Sequence, residues 1–273
     1  MFYTPLRYPG GKAKFAPTIK SIIKKNNLQG HYVEPYAGGA GVALDLLFNG
    51  HCTDIHINDL DLAVYNFWLS VTTHNADFIQ LVQETPVTID EWHKQKHRLN
   101  NINLSPLEHG FATFFLNRTN RSGILKGGVM GGLNQSGHYK LDCRFNKNEL
   151  IKRIERIGKW ADHIHVYNED ALTLLTNVDN IVPERSIIYI DPPYYVKGQG
   201  LYRNFYKHSD HVAICQALAN VKTPWIVSYD NHSAIKEIYQ DYRQTDYTLN
   251  YSASRKVKGC EVMIYSPQLN ILS

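Results

Sequence analysis

Asp191-Pro192-Pro193-Tyr194 directly follows the apolar run Ile187-Ile-Tyr-Ile190. Two prolines cannot continue a strand, so the chain must leave the sheet there in a stiff loop of fixed φ. That loop would hold an acid and an aromatic side chain at the edge where the strand ends. A carboxylate and a backbone carbonyl so placed can accept both hydrogens of an exocyclic amine and localise its lone pair toward a methyl donor. Adenine N6 is such an amine, a poor nucleophile while its lone pair is delocalised into the ring. A neighbouring aromatic can stack on a base turned out of a duplex. The plain alternative is a stiff turn with a surface carboxylate. Methylation at cytosine C5 would instead need a cysteine nucleophile, typically after proline, and none of Cys52, Cys143, Cys215 and Cys260 follows one.

A second motif is Glu34-Pro35-Tyr-Ala37-Gly38-Gly39-Ala-Gly41, at the end of the strand-like His31-Tyr-Val-Glu-Pro35 and opening a helical stretch that stops at Asn49-Gly50. Small residues let the backbone turn sharply and approach a ligand, and the helix start offers unpaired N–H groups. The spacing is not G-x-G-x-x-G, which weakens a dinucleotide reading. The next strand, Asp54-Ile-His-Ile-Asn58, ends at Asp59, a carboxylate where a ribose diol would lie. Alone, the glycine loop is equally a tight turn; with Asp59 it points to a nucleoside-containing cofactor.

The elements that must position these motifs alternate. Further strands are expected at His163–Tyr167, Ser186–Asp191, Pro224–Ser228 and Glu261–Tyr265, with helical patterns between. Asn146-Lys-Asn-Glu149 reads as a capping box opening a helix with Leu150, Ile151, Ile154, Ile157 and Trp160 on one stripe. The alternation indicates an α/β fold with a doubly wound, mostly parallel sheet. Residues 62–148 break the rhythm. Helical patterns at Leu62–Gln83, Glu91–Leu99 and Glu108–Asn117 precede a basic, Gly-rich loop at about 118–142. This is expected to be an insert in a discontinuous domain formed by residues 1–61 and 149–273.

The net charge of the 273 residues is +4, but it is unevenly spread. Residues 1–25 carry six bases and no acid, and residues 118–147 carry six bases against Asp142 alone. The pattern suits one polyanion-facing side, or equally two solvated basic faces. No apolar run opens the chain and none approaches a membrane span, so neither a secretory leader nor a membrane partner is expected. The cysteines form no C-x-x-C and the 13 histidines no H-E-x-x-H, so no metal is implied.

Taken together, Asp191–Tyr194 and Glu34–Gly41 resemble the motifs of the D12-class, Dam-like N6-adenine DNA methyltransferases, and the resemblance covers nearly the whole chain. Leu6-Arg-Tyr8-Pro-Gly10-Gly11-Lys12 is similar to that family's N-terminal cofactor motif, and Phe114-Phe-Leu-Asn117-Arg118 to its DNA-facing segment. Tyr251–Arg255 and Lys258–Tyr265 look like its basic loop and last strand. An insert between the cofactor half and the Asp-Pro-Pro-Tyr loop is the alpha arrangement.

The resemblance implies a seven-stranded, Rossmann-like S-adenosylmethionine (SAM)-dependent methyltransferase sheet with a mainly helical target-recognition insert at 62–148. It implies site-specific transfer to N6 of a flipped adenine in double-stranded DNA, with Asp191, Pro192, Pro193 and Tyr194 catalytic. Tyr8, Gly10, Gly11, Lys12, Glu34, Pro35, Ala37, Gly38 and Gly39 would serve the cofactor, with Asp59 at its ribose, Asp170 at its adenine and Asp191 beside its methyl group. Asn117, Arg118, Asn120, Arg121, Lys126, Arg255, Lys256 and Lys258 would face DNA. Arg121 could read guanine and Asn120 adenine, or both could hold phosphates. Relatives that read GATC usually carry an aromatic-Asn-Gly turn where this chain has Thr119-Asn-Arg-Ser-Gly-Ile-Leu-Lys126, so the recognition sequence stays open. A cytoplasmic monomer, in a restriction-modification or related setting, is the expectation. Alternatives are methylation of RNA adenine or of a protein glutamine, and a silent nucleic-acid-binding module on the same fold.

Overall fold

The computed structural model describes residues 3–8, 12, 15–101, 103–195, 206–253 and 255–271, with backbone alone for 248–253 and 255–260. Seven strands form one sheet: β1 (His31–Glu34), β2 (Asp54–Asn58), β3 (Ile164–Tyr167), β4 (Ile187–Ile190), β5 (Trp225–Asp230), β6 (Arg243–Ala253) and β7 (Arg255–Tyr265). Their order is β3-β2-β1-β4-β5-β7-β6. β1 runs parallel to β2 and β4, and β4 parallel to β5, while β7 is antiparallel to both β5 and β6. The mostly parallel, Rossmann-like expectation holds.

β6 was not expected. Its sequence, Arg-Gln-Thr-Asp-Tyr-Thr-Leu-Asn-Tyr-Ser-Ala, alternates apolar and polar residues from Tyr247 to Ala253 and lacks the continuous apolar run that marks β4 and β5. It pairs with β7 from Arg243↔Tyr265 to Ala253↔Arg255. Arg255, Lys256 and Lys258, expected on a loop, therefore lie on strand backbone in β7; their side chains lie outside the described residues.

The helices among the described residues are α1 (Ala16–Asn26), α2 (Gly41–Phe48), α3 (Leu62–Thr73), α4 (Asn75–Glu84), α5 (Ile89–Leu99), α6 (Pro106–Thr119), α7 (Lys147–Lys159), α8 (Ala171–Ile181), α9 (His208–Leu218) and α10 (Ser233–Ile238). The single helix expected at 62–83 is two. His74 leaves helical geometry (φ −124°, ψ 41°), closing α3 and opening α4. Asn146 caps α7 by accepting the Glu149 N–H, worth about 1 kcal/mol. Leu150, Ile154 and Ile157 of its stripe are fully buried.

The chain divides into two compact units. One comprises 1–11, 38–41 and 60–168. Its core is aromatic, with Phe67, Phe78, Phe111 and Phe114 in mutual ring contact. Gly110 lets α6 lie against α3, since a Cβ there would stand 2.4 Å from the Asn66 carbonyl oxygen. The other comprises 12–37, 42–59 and 169–273. Val33, Ile188, Ile190, Val227, Val262 and Ile264 of its sheet are buried with Leu174, Val178, Ile214 and Leu218 of its helices. Strands buried this way read as continuous apolar runs, which is why β4 and β5 were legible.

Candidate active site

β1 and β4 are neighbours from which the chain winds outward in opposite directions, so their carboxyl ends flank the topological switch point where α/β sheets bind ligands. Glu34 ends β1 and Asp191 follows β4. Asp191 leaves the sheet because Pro192 and Pro193 lack the N–H that a ladder needs. The pairing Ile190↔Val227 sets Ser228 beside it, and Ser228 Oγ donates to Asp191 Oδ1 at 2.9 Å. Tyr189 Oη meets the same Ser228 hydroxyl at 2.9 Å.

Lys12 is buried, and its Nζ lies 3.2 Å from Asp191 Oδ1 and 2.6 Å from Glu261 Oε2. Tyr194 Oη donates to Glu261 Oε1 at 2.9 Å and stands 3.1 Å from Lys12 Nζ. Tyr247 Oη donates to Glu261 Oε2. Burial opposes the Lys12 charge, but the fields of Asp191, Tyr189 and Glu261 outweigh it and hold the ammonium protonated above its ordinary range. Asp191 goes up: burial dominates, with Lys12 and the Ser228 hydrogen bond opposing it and Glu261 adding to it. Its side chain nevertheless keeps 23% of its surface exposed. Both polar contacts fall on Oδ1, and Oδ2 has no partner among the described residues.

Tyr194 is 7% exposed, with its ring 5.0 Å from Lys12 Nζ. It is turned into this cluster, not out as a free stacking face. The half-buried aromatic beside it is Tyr195, stacked on His232 at 4.6 Å and held through its N–H to Asp230 Oδ1 at 2.9 Å. Ser228, Tyr247 and Glu261 were not singled out from sequence. None carries a local signal, and Glu261 is 249 residues from Lys12.

The cofactor candidates divide. Glu34 is buried and turned inward, accepting from Tyr32 Oη at 3.0 Å and from the Ala43 N–H in the first turn of α2 at 3.2 Å. Burial pushes its carboxyl up to about 8 against those two hydrogen bonds. Asn58, buried at the end of β2, donates to the Pro35 and Glu169 carbonyls and accepts the Glu169 N–H. The Asn58 carbonyl also receives the Ala37 N–H. Asn58 thus clasps the chain after β1 to the chain before α8, leaving Asp59 half-buried and Asp170 exposed at successive strand ends. Asp170 caps α8 through the Leu172 N–H. Gly38 has φ +46°, and a Cβ on it would lie 2.6 Å from the half-buried Tyr8 ring. A Cβ on Gly39 would lie 3.0 Å from Tyr8 Cβ. Gly10 and Gly11 lie outside the described residues.

The DNA-facing candidates divide too, and two of them are corrected. Asn117 is buried, accepting the Arg7 N–H and donating to the Arg7 and Gly123 carbonyls. Asn120 is fully buried, accepting from Trp92 Nε1 and donating to the Ile124 and Leu125 carbonyls. Both amides hold loops and offer no base-reading edge. Arg118 is half-buried, lowered to about 9 by burial and by Arg153, Arg7 and Arg144, and its buried Nε has no partner among the described residues. Arg121 and Lys126 are exposed. Arg121 lines an open depression of about 380 Å³ with Trp92, His93, Lys96, Gly128, Val129, Gly132 and Leu133. His93 and His97 stand four apart on α5, but among the described residues no three metal-ligating groups converge. No described helix is long and apolar enough to cross a membrane.

A Rossmann-like sheet with an acid-Pro-Pro-aromatic loop at its carboxyl edge defines the class as methyltransferase. The model of the D12 class N6 adenine-specific DNA methyltransferases matches residues 8–253, and the chain belongs to that family, whose members methylate adenine in DNA. It is similar to the Type II methyltransferase M.MjaIII of Methanocaldococcus jannaschii, with 24% identity over 207 residues, 69% of this chain and 68% of that one.

Proposed function

We propose that the protein transfers a methyl group from SAM to N6 of an adenine flipped out of double-stranded DNA, at a specific sequence, with Asp191 as the acceptor that activates the amine. The observation that carries this is the asymmetry of Asp191. Its Oδ1 is held by Ser228 and Lys12 while Oδ2 has no partner among the described residues. An oxygen fixed in this way can accept one N6 hydrogen without reorganising, and a carbonyl of the Pro192-Pro193 pair the other. The nitrogen lone pair forms the new bond to carbon as the methyl–sulfur bond breaks, the electron pair stays on sulfur, and one N6 proton leaves to water.

When bound, SAM supplies an electrophilic methyl on a sulfonium centre. The donor set fits such a group: Asp59 and Asp170 are carboxylates at successive strand ends, suited to a ribose diol and an adenine amine. Ala37, Gly38 and Gly39 would line the amino-acid end, with Pro35 and Glu34 bracing that turn. Tyr8 would pack beside it, and Lys12 would act from within the acidic cluster. Residues 1–61 and 149–273 would form the catalytic domain and 62–148 the target-recognition insert, with Arg118, Arg121, Lys126 and the Arg255–Lys258 segment toward DNA.

Incubation with methyl-labelled SAM and duplex DNA tests this. Label is expected at adenine N6. Asp191→Ala should lower the rate at least about 1000-fold, the scale of losing a preorganised acceptor, while calorimetric SAM binding persists. No label at N6, or undiminished label with Asp191→Ala, overturns the proposal.

A further inference from the structure

We propose that Glu261 is a positioning residue for this methyl transfer: its carboxylate takes the Lys12 ammonium and the Tyr194 hydroxyl so that Asp191 remains an open acceptor. The inference rests on the reading of Asp191 given above. Glu261 stands on β7 opposite Asp230 and is 1% exposed. Three donors converge on it: Lys12 Nζ at 2.6 Å, Tyr194 Oη at 2.9 Å, and Tyr247 Oη. Phe15 packs edge-on against Tyr247 at 4.5 Å, closing the cluster from α1.

Two carboxylates therefore share one ammonium, and the shares are unequal. Nζ sits 2.6 Å from Glu261 but 3.2 Å from Asp191. A lysine answering to Asp191 alone would draw fully onto it, spending the acceptor strength that the amine requires. A second carboxylate on the far side holds Nζ back while leaving it close enough to order Oδ1. The same carboxylate fixes the Tyr194 hydroxyl, and with it the end of the Asp191–Tyr194 loop. The groups whose charge bears on Asp191 are Lys12, Glu261, Glu34, Tyr189 and Tyr247.

The test uses the full chain and Glu261→Gln, which keeps an acceptor and the shape but removes the charge. With circular dichroism and melting confirming the fold, kcat should fall at least about tenfold, while the DNA KM and the calorimetric SAM Kd stay within about threefold. The acid limb of the kcat–pH profile should move to lower pH by about half a unit or more, because Lys12 is then left to Asp191 alone. Glu261→Asp should recover part of the rate. A residue that only neutralised a buried lysine would change melting and, through its lost charge, the acid limb, but would leave kcat on the plateau above that limb at the wild-type value, and that outcome overturns the inference. Should Glu261→Gln not fold, Tyr247→Phe carries the test. It removes a donor from Glu261, frees that carboxylate to draw Lys12 further away, and should move the acid limb to higher pH. Wild-type kcat and an unmoved limb in the folded variant overturn the inference. Wild-type protein that places no methyl on N6 overturns the proposed function instead, so the two failures are distinguishable.

Discussion

Trp92 Nε1 donates to Asn120 Oδ1 at 2.7 Å, tying α5 to the loop that follows α6. The other end of the same amide donates to the Ile124 and Leu125 carbonyls at 3.0 Å each. One buried side chain thus closes the turn that presents Arg121 and Lys126. Asn120→Ala would orphan an indole N–H and two carbonyls, and should cost roughly 2–4 kcal/mol of stability in denaturant melts. DNA affinity should fall with it as the loop loosens. Unchanged melting would show that the bracket does not hold the loop.

Arg121 is exposed and lines an open basic depression, so its truncation should behave in the opposite way. Arg121→Ala should melt with the wild type but bind duplex DNA more weakly. If Arg121 meets phosphate, the slope of log affinity against log salt should shrink by about one. If it reads guanine, the loss should depend on the target base and the slope should stay. Affinity equal to wild type at every salt concentration would remove Arg121 from the DNA surface.

Glu34 makes stability depend on pH. Its carboxyl rises from an ordinary 4.5 to about 8 on folding, through burial, so the folded state binds this proton more tightly than the unfolded chain. Stability from this group is therefore full at low pH and declines as pH rises from about 4.5 through about 8. Glu34→Gln cannot ionise. Its melting temperature should fall less than that of the wild type across that window, and equal slopes for the two proteins would sink the assignment.

Gly38 combines φ +46° with a Tyr8 ring 2.6 Å from where a Cβ would stand. Gly38→Ala carries a left-handed backbone cost of about 1–2 kcal/mol and also displaces the ring. Calorimetric SAM affinity should fall at least about tenfold, and Tyr8→Ala in the same chain should relieve the steric part of the melting loss. SAM binding at wild-type strength in Gly38→Ala would show that this turn does not approach the cofactor.

Much of this was legible in one dimension, for a physical reason. A strand buried on both faces must be a continuous apolar run, and a chain leaving it through two prolines must turn, so β4 and Asp191 announce themselves locally. The run of helices between β2 and β3 was visible as a break in strand–helix alternation. β6 was missed, since an edge strand paired only with β7 need not be the continuous apolar run that a strand buried on both faces must be. Residue type also misled at Asn117 and Asn120: an asparagine in a basic segment reads as a base-reading side chain, but hydrogen-bond partners depend on where the loop folds back.

The sequence by itself determined the Asp191–Tyr194 loop, the α/β class and the family resemblance, because these rest on residues adjacent in the chain. Only the tertiary structure decided what surrounds the acid. Ser228, Lys12, Glu261, Tyr194 and Tyr247 meet Asp191 or one another because β4, β5 and β7 are neighbours in the sheet, and α1 begins beside them. Charge and hydrogen bonding act through space over a few ångströms. The chain separates the same groups by as many as 249 residues, so no spacing along it encodes their meeting.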